Sequence, residues 1–464
     1  MRAYLGAFGD PGHAFPMLAL GAELAARGHE VTYETWSRWR EHVEAAGMRF
    51  TPAPEYPVFP TRERPLSPYE AVVAAVRDRR PALAAAAPDV VVHDVLTLAP
   101  ALCAELEGIP SATLIPHLYP VGEPGLPPFG LGARPPRTRV GRRVWRGFDP
   151  LVARGLTRGR AELNDVRRRL GLAPTDRLFG GQSCELVLVA TFPQLEYPRA
   201  WPAHVHVVGP LLWEPGGPGI SPSARSGPGA SGGPGEPVAP GEPGAPGVSR
   251  AGNTPSDEPG APGTWIVPPA GEDPLVLIAT STAQDPDNRL LRTALTGLAG
   301  EPVRLLAVWN GRPMSPPVRI APNARVVSWL SYGRSMRECR LVVCHGGSGT
   351  IARALACGTP VLSVPRGGDM PENAVRLAWS GAGRRLAWPL LSPATLRLAV
   401  RRALADPRPA ARAAEFAAWA AANDGAARAA DLVERLAPRD RRAGAPDEAT
   451  ERRRPRPRER PAPS

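Results

Sequence analysis

Two blocks of short apolar segments, separated by a long stretch rich in proline and glycine, constrain the fold of this chain most strongly. In both blocks, runs rich in Val, Leu and Ile end in Gly, Pro or Asp and alternate with stretches of helical periodicity. This strand–helix–strand order favours parallel βαβ units. The sequence therefore predicts an α/β protein with two doubly wound, Rossmann-like domains that face each other across a cleft.

The predicted strands share this composition and fall into two groups. The first group covers residues 2–9, 29–35, 49–54, 89–94, 110–116, 186–192 and 204–210. The second group covers residues 274–280, 303–310, 324–330, 340–345, 359–365 and 384–388. Helices are predicted between them, for example over residues 15–27, 288–298, 350–356 and 373–379, and one alanine-rich helical segment covers 411–436.

Much of the high content of Pro (59 residues) and Gly (48 residues) falls between the two blocks. Residues 216–263 have almost no large apolar side chains, so this segment is predicted to be a disordered linker. From residue 438 onward the chain carries nine arginines against five acidic residues, which predicts a disordered basic tail. The predicted units are a first α/β domain over 1–212, a linker over 213–270, a second α/β domain over 271–437, and the tail over 438–464.

The net charge of +12 comes from arginine alone, since the chain contains no lysine. This bias weakens inference from charge, and no basic strand with interleaved aromatic residues is present, so no nucleic-acid partner is predicted. The five cysteines form no CxxC pair, which indicates a reduced, cytoplasmic protein. The N-terminal apolar run is too short for a signal peptide, and no apolar stretch of about 18 residues predicts a membrane span.

The most specific motif is HGGSGT, residues 345–350, which follows a predicted strand and precedes a predicted helix. Its glycines allow the main chain to approach an anion closely. Ser348, Gly349 and Thr350 then lie at a helix N-terminus, where free N–H groups and the helix dipole favour phosphate. His345 can donate a hydrogen bond to the same phosphate. The alternative is a tight strand-to-helix turn without a ligand.

Other polar or aromatic residues follow neighbouring strands of the second block. Asp369 can accept hydrogen bonds from sugar hydroxyls, whereas Asn373 can cap the next helix. Trp329 can stack on a nucleobase or belong to the core. Thr280 and Ser281 end the first strand of this block and offer hydroxyls to the cleft.

The N-terminal loop GDPGHAFP, residues 9–16, is not a GxGxxG motif, which argues against a dinucleotide cofactor. His13 in this loop is a candidate general base, because the pKa of imidazole lies near neutrality; the alternative is a surface or capping histidine. Asp94, at the end of a strand, is the candidate carboxylate behind it, with helix capping as the alternative. His93 should point to the opposite face from Asp94.

The spacing from Trp329 through HGGSGT to Gly-Asp369-x3-Asn373 resembles the nucleotide-sugar signature of family 1 glycosyltransferases, which have the two-domain GT-B fold. The sequence is most similar to actinobacterial enzymes that attach deoxysugars to polyketide, enediyne and macrolide natural products. The resemblance covers residues 1–210 and 270–435. It implies that the first domain binds the acceptor and the second binds the nucleotide sugar.

The resemblance also implies a role for each residue of the motif. Trp329 would stack on the base and the Leu330 main chain would contact it. The diphosphate would be held by residues of the glycine loop and the helix start, namely His345, Gly347, Ser348, Gly349 and Thr350. Asp369 would bind sugar hydroxyls, and Met370 stands where the family commonly has Gln, which favours a less hydroxylated deoxysugar.

The predicted function is inverting transfer of a deoxysugar from a nucleoside-diphosphate sugar, dTDP-linked by resemblance, to a hydroxyl of a hydrophobic natural product. His13 and Asp94 would be catalytic. No metal or other cofactor is predicted, although Asp285 and Asp287 form a DxD sequence. The alternatives are a non-catalytic activator of a partner glycosyltransferase and a nucleotide-sugar epimerase, and a homodimer is compatible with the sequence. The stretch 120–160, with Trp145 and Phe148, is predicted to wall the acceptor pocket.

Overall fold

A computed structural model describes residues 1–53, 68–215, 266–281, 285–310, 314 and 317–437. The segments predicted to be disordered, 216–263 and 438–464, lie outside these residues.

The first part of the described chain is built from parallel strands and the helices that connect them. The strands are β1 (Arg2–Gly6), β2 (Glu30–Thr35), β3 (Arg49–Pro52), β4 (Val90–Asp94), β5 (Ser111–Ile115), β6 (Leu186–Val189) and β7 (Val205–Val207). The helices are α1 (Pro11–Ala26), α2 (Arg40–Ala45), α3 (Pro68–Ala86), α4 (Leu98–Leu106), α5 (Arg139–Arg146) and α6 (Asp149–Arg169). The strand order is β3-β2-β1-β4-β5-β6-β7, and all neighbouring strands are parallel.

The second part has the same architecture. Its strands are β8 (Leu275–Ala279), β9 (Arg304–Val308), β10 (Ala324–Val327), β11 (Leu341–Cys344), β12 (Val361–Ser363) and β13 (Gly383–Arg385), in the order β10-β9-β8-β11-β12-β13. Its helices are α7 (Arg289–Gly297), α8 (Tyr332–Ser335), α9 (Ser348–Ala356), α10 (Met370–Ser380), α11 (Pro393–Ala405), α12 (Arg408–Ala422) and α13 (Gly425–Leu436).

Two parallel sheets confirm the predicted fold class. β6 and β8 are continuous apolar runs because helices cover both faces of a parallel sheet, and β4 and β8 are buried along their whole length. In both sheets the strand order reverses next to the first strand of the sheet, β1 or β8. The loops after the strands meet at the carboxyl edge near such a reversal, which is where ligands bind in this class of fold.

The alanine-rich segment predicted as one helix over 411–436 is two helices. α12 ends at Ala422, and the carboxylate of Asp424 accepts hydrogen bonds from the first N–H groups of α13. α13 then packs on α1, and its Ala429, Ala430 and Val433 belong to the core of the first sheet. The last described helix therefore follows the second domain in sequence but packs on the first domain.

None of the helices in the described ranges is both long and apolar enough to cross a membrane.

Candidate active site

The predicted pair His13 and Asp94 comes together at the carboxyl edge of the first sheet. Asp10 caps α1 by accepting a hydrogen bond from the Gly12 N–H at 3.1 Å, which places His13 in the first turn. Asp94 is the last residue of β4, the neighbour of β1. Nδ1 of His13 lies 2.7 Å from Oδ1 of Asp94, and the other carboxylate oxygen accepts from the Leu96 N–H at 3.2 Å.

The environment of His13 favours its protonated form. Burial acts to lower the pKa of His13, but the charge of Asp94 and the hydrogen bond to it outweigh burial and raise this pKa above its ordinary value. Asp10 and Asp369 contribute in the same direction. In the neutral imidazole the carboxylate holds the proton on Nδ1, so Nε2 is left as a proton acceptor.

His93 has a structural role, as its predicted orientation implies. Its side chain points away from Asp94, with Nε2 2.8 Å from the hydroxyl of Thr113. Its Nδ1 lies 3.1 Å from the Asp94 carbonyl oxygen. The ring is fully buried, and burial lowers its pKa, so His93 is a neutral core histidine.

A second cleft histidine, His117, is not among the residues predicted from the sequence. It follows β5, the neighbour of β4, and its ring centroid lies 6.3 Å from that of His13. The Phe129 ring lies 6.1 Å beyond it. Nδ1 lies 2.8 Å from the Leu118 carbonyl oxygen, and burial lowers the pKa of the imidazole. Like Asp94, His117 stands at the end of a predicted strand, and this position is the sequence signal that points to it.

Within the stretch 120–160, which is predicted to wall the acceptor pocket, Phe129 lies beside a cleft histidine. Trp145 and Phe148 pack on each other at 5.3 Å, and Phe148 is 43% exposed. The aromatic rings beside His13 are instead Phe8, 6.1 Å away, and behind it Trp36, 4.9 Å from Phe8. The apolar surface around the base therefore comes from the loops after β1, β2 and β5.

The predicted glycine loop makes a tight turn directly into the first turn of α9. Gly346 has φ +93°, and a Cβ at this position would lie 2.8 Å from the Ser363 hydroxyl oxygen and 3.3 Å from the Met370 carbonyl oxygen. Gly347 then caps α9 without a side-chain hydrogen bond. Ser348, Gly349 and Thr350 form the first turn of α9, so main-chain N–H groups and the positive end of the helix dipole face the cleft side of the loop.

His345 is held as a neutral imidazole. Its Nδ1 lies 3.4 Å from the Ala279 carbonyl oxygen, and burial lowers its pKa. With the proton on Nδ1, Nε2 is an acceptor, so donation from Nε2 to a phosphate requires a second proton or loss of the Ala279 contact. The start of α9 is therefore the main source of donors in this loop.

The loop that carries Asp369 is tied to the glycine loop. The Asn373 side-chain amide donates to the Gly346 carbonyl oxygen at 3.0 Å and to Oδ2 of Asp369 at 2.8 Å. Asn373 lies inside α10, whose N-cap is Asp369, and joins two loops instead of capping the helix. The negative charge of Asp369 acts to raise the pKa of both His13 and His117, so this carboxylate of the second domain faces the histidines of the first. Met370 is 7% exposed and packs against Gly346.

The other residues predicted to bind the sugar donor differ in their exposure and in their hydrogen-bond partners. The Thr280 hydroxyl donates to the Val308 carbonyl oxygen at 2.8 Å and lies 3.0 Å from the Asn310 amide nitrogen, so it supports the strand end rather than offering a hydroxyl to the cleft. Ser281, beside it, is also buried. Trp329 is half-buried after β10, whereas Leu330 is buried in the second-domain core.

The first carboxylate of the DxD sequence is engaged at the start of a helix. The two carboxylate oxygens of Asp285 accept from the N–H groups of Arg289 and Leu290, both at 3.0 Å, so Asp285 caps α7. Within the described ranges, no group of three or more His, Cys, Asp or Glu residues could hold a metal ion.

A buried ion pair holds the two walls of the cleft together. Nη1 of Arg376, on α10, lies 2.9 Å from Oε2 of Glu196 in the first domain, and Nε lies 2.8 Å from Oε1 of Glu372. Glu196 also accepts from the Tyr119 N–H at 2.7 Å. The Arg376 guanidinium stacks 3.8 Å from the centroid of the Tyr197 ring. Because all three charged groups are buried, the loss of one partner would leave an uncompensated buried charge, so this contact links α10 to the first domain.

Comparison with known proteins agrees with this geometry. Residues 309–436 match the family described as the erythromycin biosynthesis protein CIII-like C-terminal domain. The chain is 29% identical to 4'-demethylrebeccamycin synthase of Lentzea aerocolonigenes, over 92% of this chain and 97% of that protein. It is 30% identical to O-mycaminosyltylonolide 6-deoxyallosyltransferase of Streptomyces fradiae, over 94% and 98% of the two chains. The structure of the glycosyltransferase VinC in complex with dTDP is similar, with a TM-score of 0.61, 19% identity, and coverage of 94% and 99%.

Two facing Rossmann-like domains with a histidine–aspartate pair on one wall and an open helix N-terminus on the other define a glycosyltransferase of the GT-B fold. Similarity to glycosyltransferases along nearly their whole length then identifies the family within this class. It belongs to the family of natural-product glycosyltransferases. The two alternatives, a non-catalytic activator and an epimerase, are set aside.

Proposed function

We propose that this enzyme transfers a deoxysugar, with inversion, from a dTDP-linked donor to a hydroxyl of a hydrophobic acceptor. The observation that carries the proposal is one cleft with His13–Asp94 on one wall and Asp369 with the start of α9 on the other. The complex of VinC with dTDP and the 6-deoxyallosyltransferase among the relatives support the donor. The rings of Phe8, Trp36 and Phe129 support an apolar acceptor.

The proposed reaction is a single displacement. Nε2 of His13 takes the proton of the acceptor hydroxyl, and the imidazolium is stabilised by Asp94. The acceptor oxygen forms a bond to the anomeric carbon from the face opposite the diphosphate. The bond from that carbon to the diphosphate oxygen breaks, and its electron pair stays on the diphosphate. N–H groups of Ser348, Gly349 and Thr350 stabilise this charge.

A thermal-shift panel tests the donor assignment. Among nucleoside diphosphates, dTDP at a hundredfold excess over its Kd should stabilise the folded protein by roughly 2.7 kcal/mol, a rise in Tm of several degrees. A larger shift with UDP than with dTDP would contradict the thymidine assignment.

Activity in EDTA tests the metal-free reaction. Because Asp285 caps a helix, turnover should be unchanged in EDTA. Loss of activity in EDTA would contradict the metal-free reaction.

The pH profile tests the base assignment. Only neutral His13 can accept a proton, so kcat/KM should fall as pH decreases through a pKa above 6.5, the ordinary value for histidine. Asp94→Asn removes the main cause that raises this pKa and leaves burial, which lowers it. The acidic limb should therefore move to lower pH while the plateau rate falls. Asp10→Asn, which can still accept from Gly12, should move the limb less; an unmoved limb in Asp94→Asn would contradict the assignment.

A further inference from the structure

The helix α5 has an unusual division of its surface. At about 100° per residue, Val140, Gly141, Val144 and Trp145 lie within one arc of roughly 140°. The other side carries only arginines, namely Arg139, Arg142, Arg143 and Arg146. Thr138 fixes the start of the helix, where its hydroxyl accepts from the Gly141 N–H at 3.1 Å.

The apolar side of α5 is open to solvent. Val140 is 74% exposed and Val144 is 61% exposed, and no residue of α5 is buried. Apolar exposure continues into the start of α6, where Leu151 is 67% exposed and Val152 is 39% exposed. Large aliphatic side chains grouped in this way on an exposed surface indicate a contact that is made in another state of the protein.

We propose that α5 and the first turn of α6 dock on an anionic lipid surface. A short helix with Val and Trp on one side and arginines on the other has the composition of helices that lie in the bilayer interface. The arginine stems can lie along the surface while their guanidiniums reach the lipid phosphates. The apolar side chains then enter the boundary between headgroups and acyl chains.

Charge favours a bilayer over a second copy of the chain. From residue 131 to 160 the sequence has nine arginines, while Asp149 and Glu162, which follows closely, are the nearest acids. A symmetric dimer through α5 would place arginine against arginine, which is unfavourable. An anionic bilayer neutralises the arginines of α5 and accepts projecting aliphatic side chains without a matching groove.

The position of α5 connects this surface to the cleft. A Cβ on Gly125 would lie 3.0 Å from the Arg142 carbonyl oxygen, so α5 packs on the loop that follows β5. The same loop contains Phe129, whose ring lies beside that of His117. Lipid contact at α5 would therefore occur on the acceptor side of the cleft, although the docking itself does not depend on the proposed reaction.

Vesicle sedimentation of the full chain tests the proposal. Vesicles of phosphatidylcholine with 30% phosphatidylglycerol should bind the protein at least tenfold more strongly than pure phosphatidylcholine. The variant Val140→Asp with Val144→Asp should reduce that binding at least tenfold. The matched control is Leu390→Asp with Leu398→Asp, which adds the same charge at two other exposed apolar positions, 62% and 48% exposed, and should bind like wild type.

This pairing isolates α5 from the rest of the molecule. The arginines of residues 438–464 are present in every variant, so only α5 differs between the two pairs. Circular dichroism and Tm confirm folding of both variants. Equal binding of the two pairs, or no preference of wild type for anionic vesicles, would overturn the proposal. A wild-type dimer in light scattering that Val140→Asp with Val144→Asp dissociates would assign the surface to a second copy instead.

Discussion

Replacement of His13 by alanine is expected to reduce kcat/KM for glycosyl transfer by roughly a thousandfold, the usual effect of losing a positioned general base. Affinity for dTDP should stay within about twofold, because the α9 N-terminus, which we propose binds the diphosphate, belongs to the other domain. Initial rates with the donor sugar, together with calorimetric titration of dTDP, measure the two quantities separately.

A second variant separates catalysis from stability. In His13→Ala the fully buried Asp94 still accepts the hydrogen bond from the Leu96 N–H, but its Oδ1 has lost the hydrogen bond to His13. This loss costs about 1–3 kcal/mol of folding stability. His13→Asn retains a side-chain N–H that can reach Oδ1, yet an amide cannot accept the proton. His13→Asn should therefore be more stable than His13→Ala and equally inactive. Substantial transfer by His13→Asn would show that another group is the base.

The three cleft histidines show how environment assigns a role to an imidazole. His13 is hydrogen-bonded to a carboxylate, which raises its pKa, whereas Nδ1 of His117 and of His345 each face a backbone carbonyl oxygen. Burial lowers the pKa of these two, so they remain neutral. Only His13 combines a free Nε2 with a carboxylate that stabilises the protonated form. The groups that face each Nδ1 come from loops and strands distant in sequence, so strand-end position alone does not separate the three roles.

The carboxyl edges of the sheets were predictable because strand ends are local features. Val90–Asp94 is an apolar run that ends in an acid, and HGGSGT follows an apolar run directly. In a parallel sheet such ends gather at one edge, so the His13–Asp94 contact follows once β1 and β4 are neighbours.

Contacts between distant segments could not be predicted in this way. Arg376 and Glu196 are 180 positions apart, and neither stands at a strand end of a recognisable motif. Thr280 does stand at a strand end, but its hydroxyl accepts a hydrogen bond from the side-chain amide of Asn310, which follows the next strand. Side-chain pairing across loops depends on register and loop conformation, which apolar periodicity does not encode.

Gly349→Asp is expected to weaken dTDP binding by roughly a hundredfold while leaving the protein as stable as wild type or slightly more stable. Gly349 is the second residue of α9, and a Cβ there would meet no atom within 4 Å. A carboxylate in the first turn stabilises a helix by about 0.3–1 kcal/mol. The same carboxylate would repel a bound diphosphate by about 3 kcal/mol at 5–6 Å in a partly screened site.

Opposite signs for stability and binding make this variant informative. Gly349→Asn has nearly the same shape without the charge, so it measures the steric part of the effect alone. Ala394→Asp adds an acid at the second residue of α11, an exposed position on a helix that also lacks an acid in its first turn. It should raise Tm as Gly349→Asp does and leave dTDP affinity unchanged.

The three variants together decide whether the start of α9 binds the diphosphate. If it does, calorimetry should give the affinity order wild type, then Gly349→Asn, then Gly349→Asp, with Ala394→Asp equal to wild type. The difference between Gly349→Asp and Gly349→Asn should shrink as ionic strength rises, because salt screens the repulsion between two exposed charges. Equal dTDP affinity for Gly349→Asp and wild type would place the diphosphate elsewhere, because a carboxylate at this helix terminus would repel any diphosphate bound there.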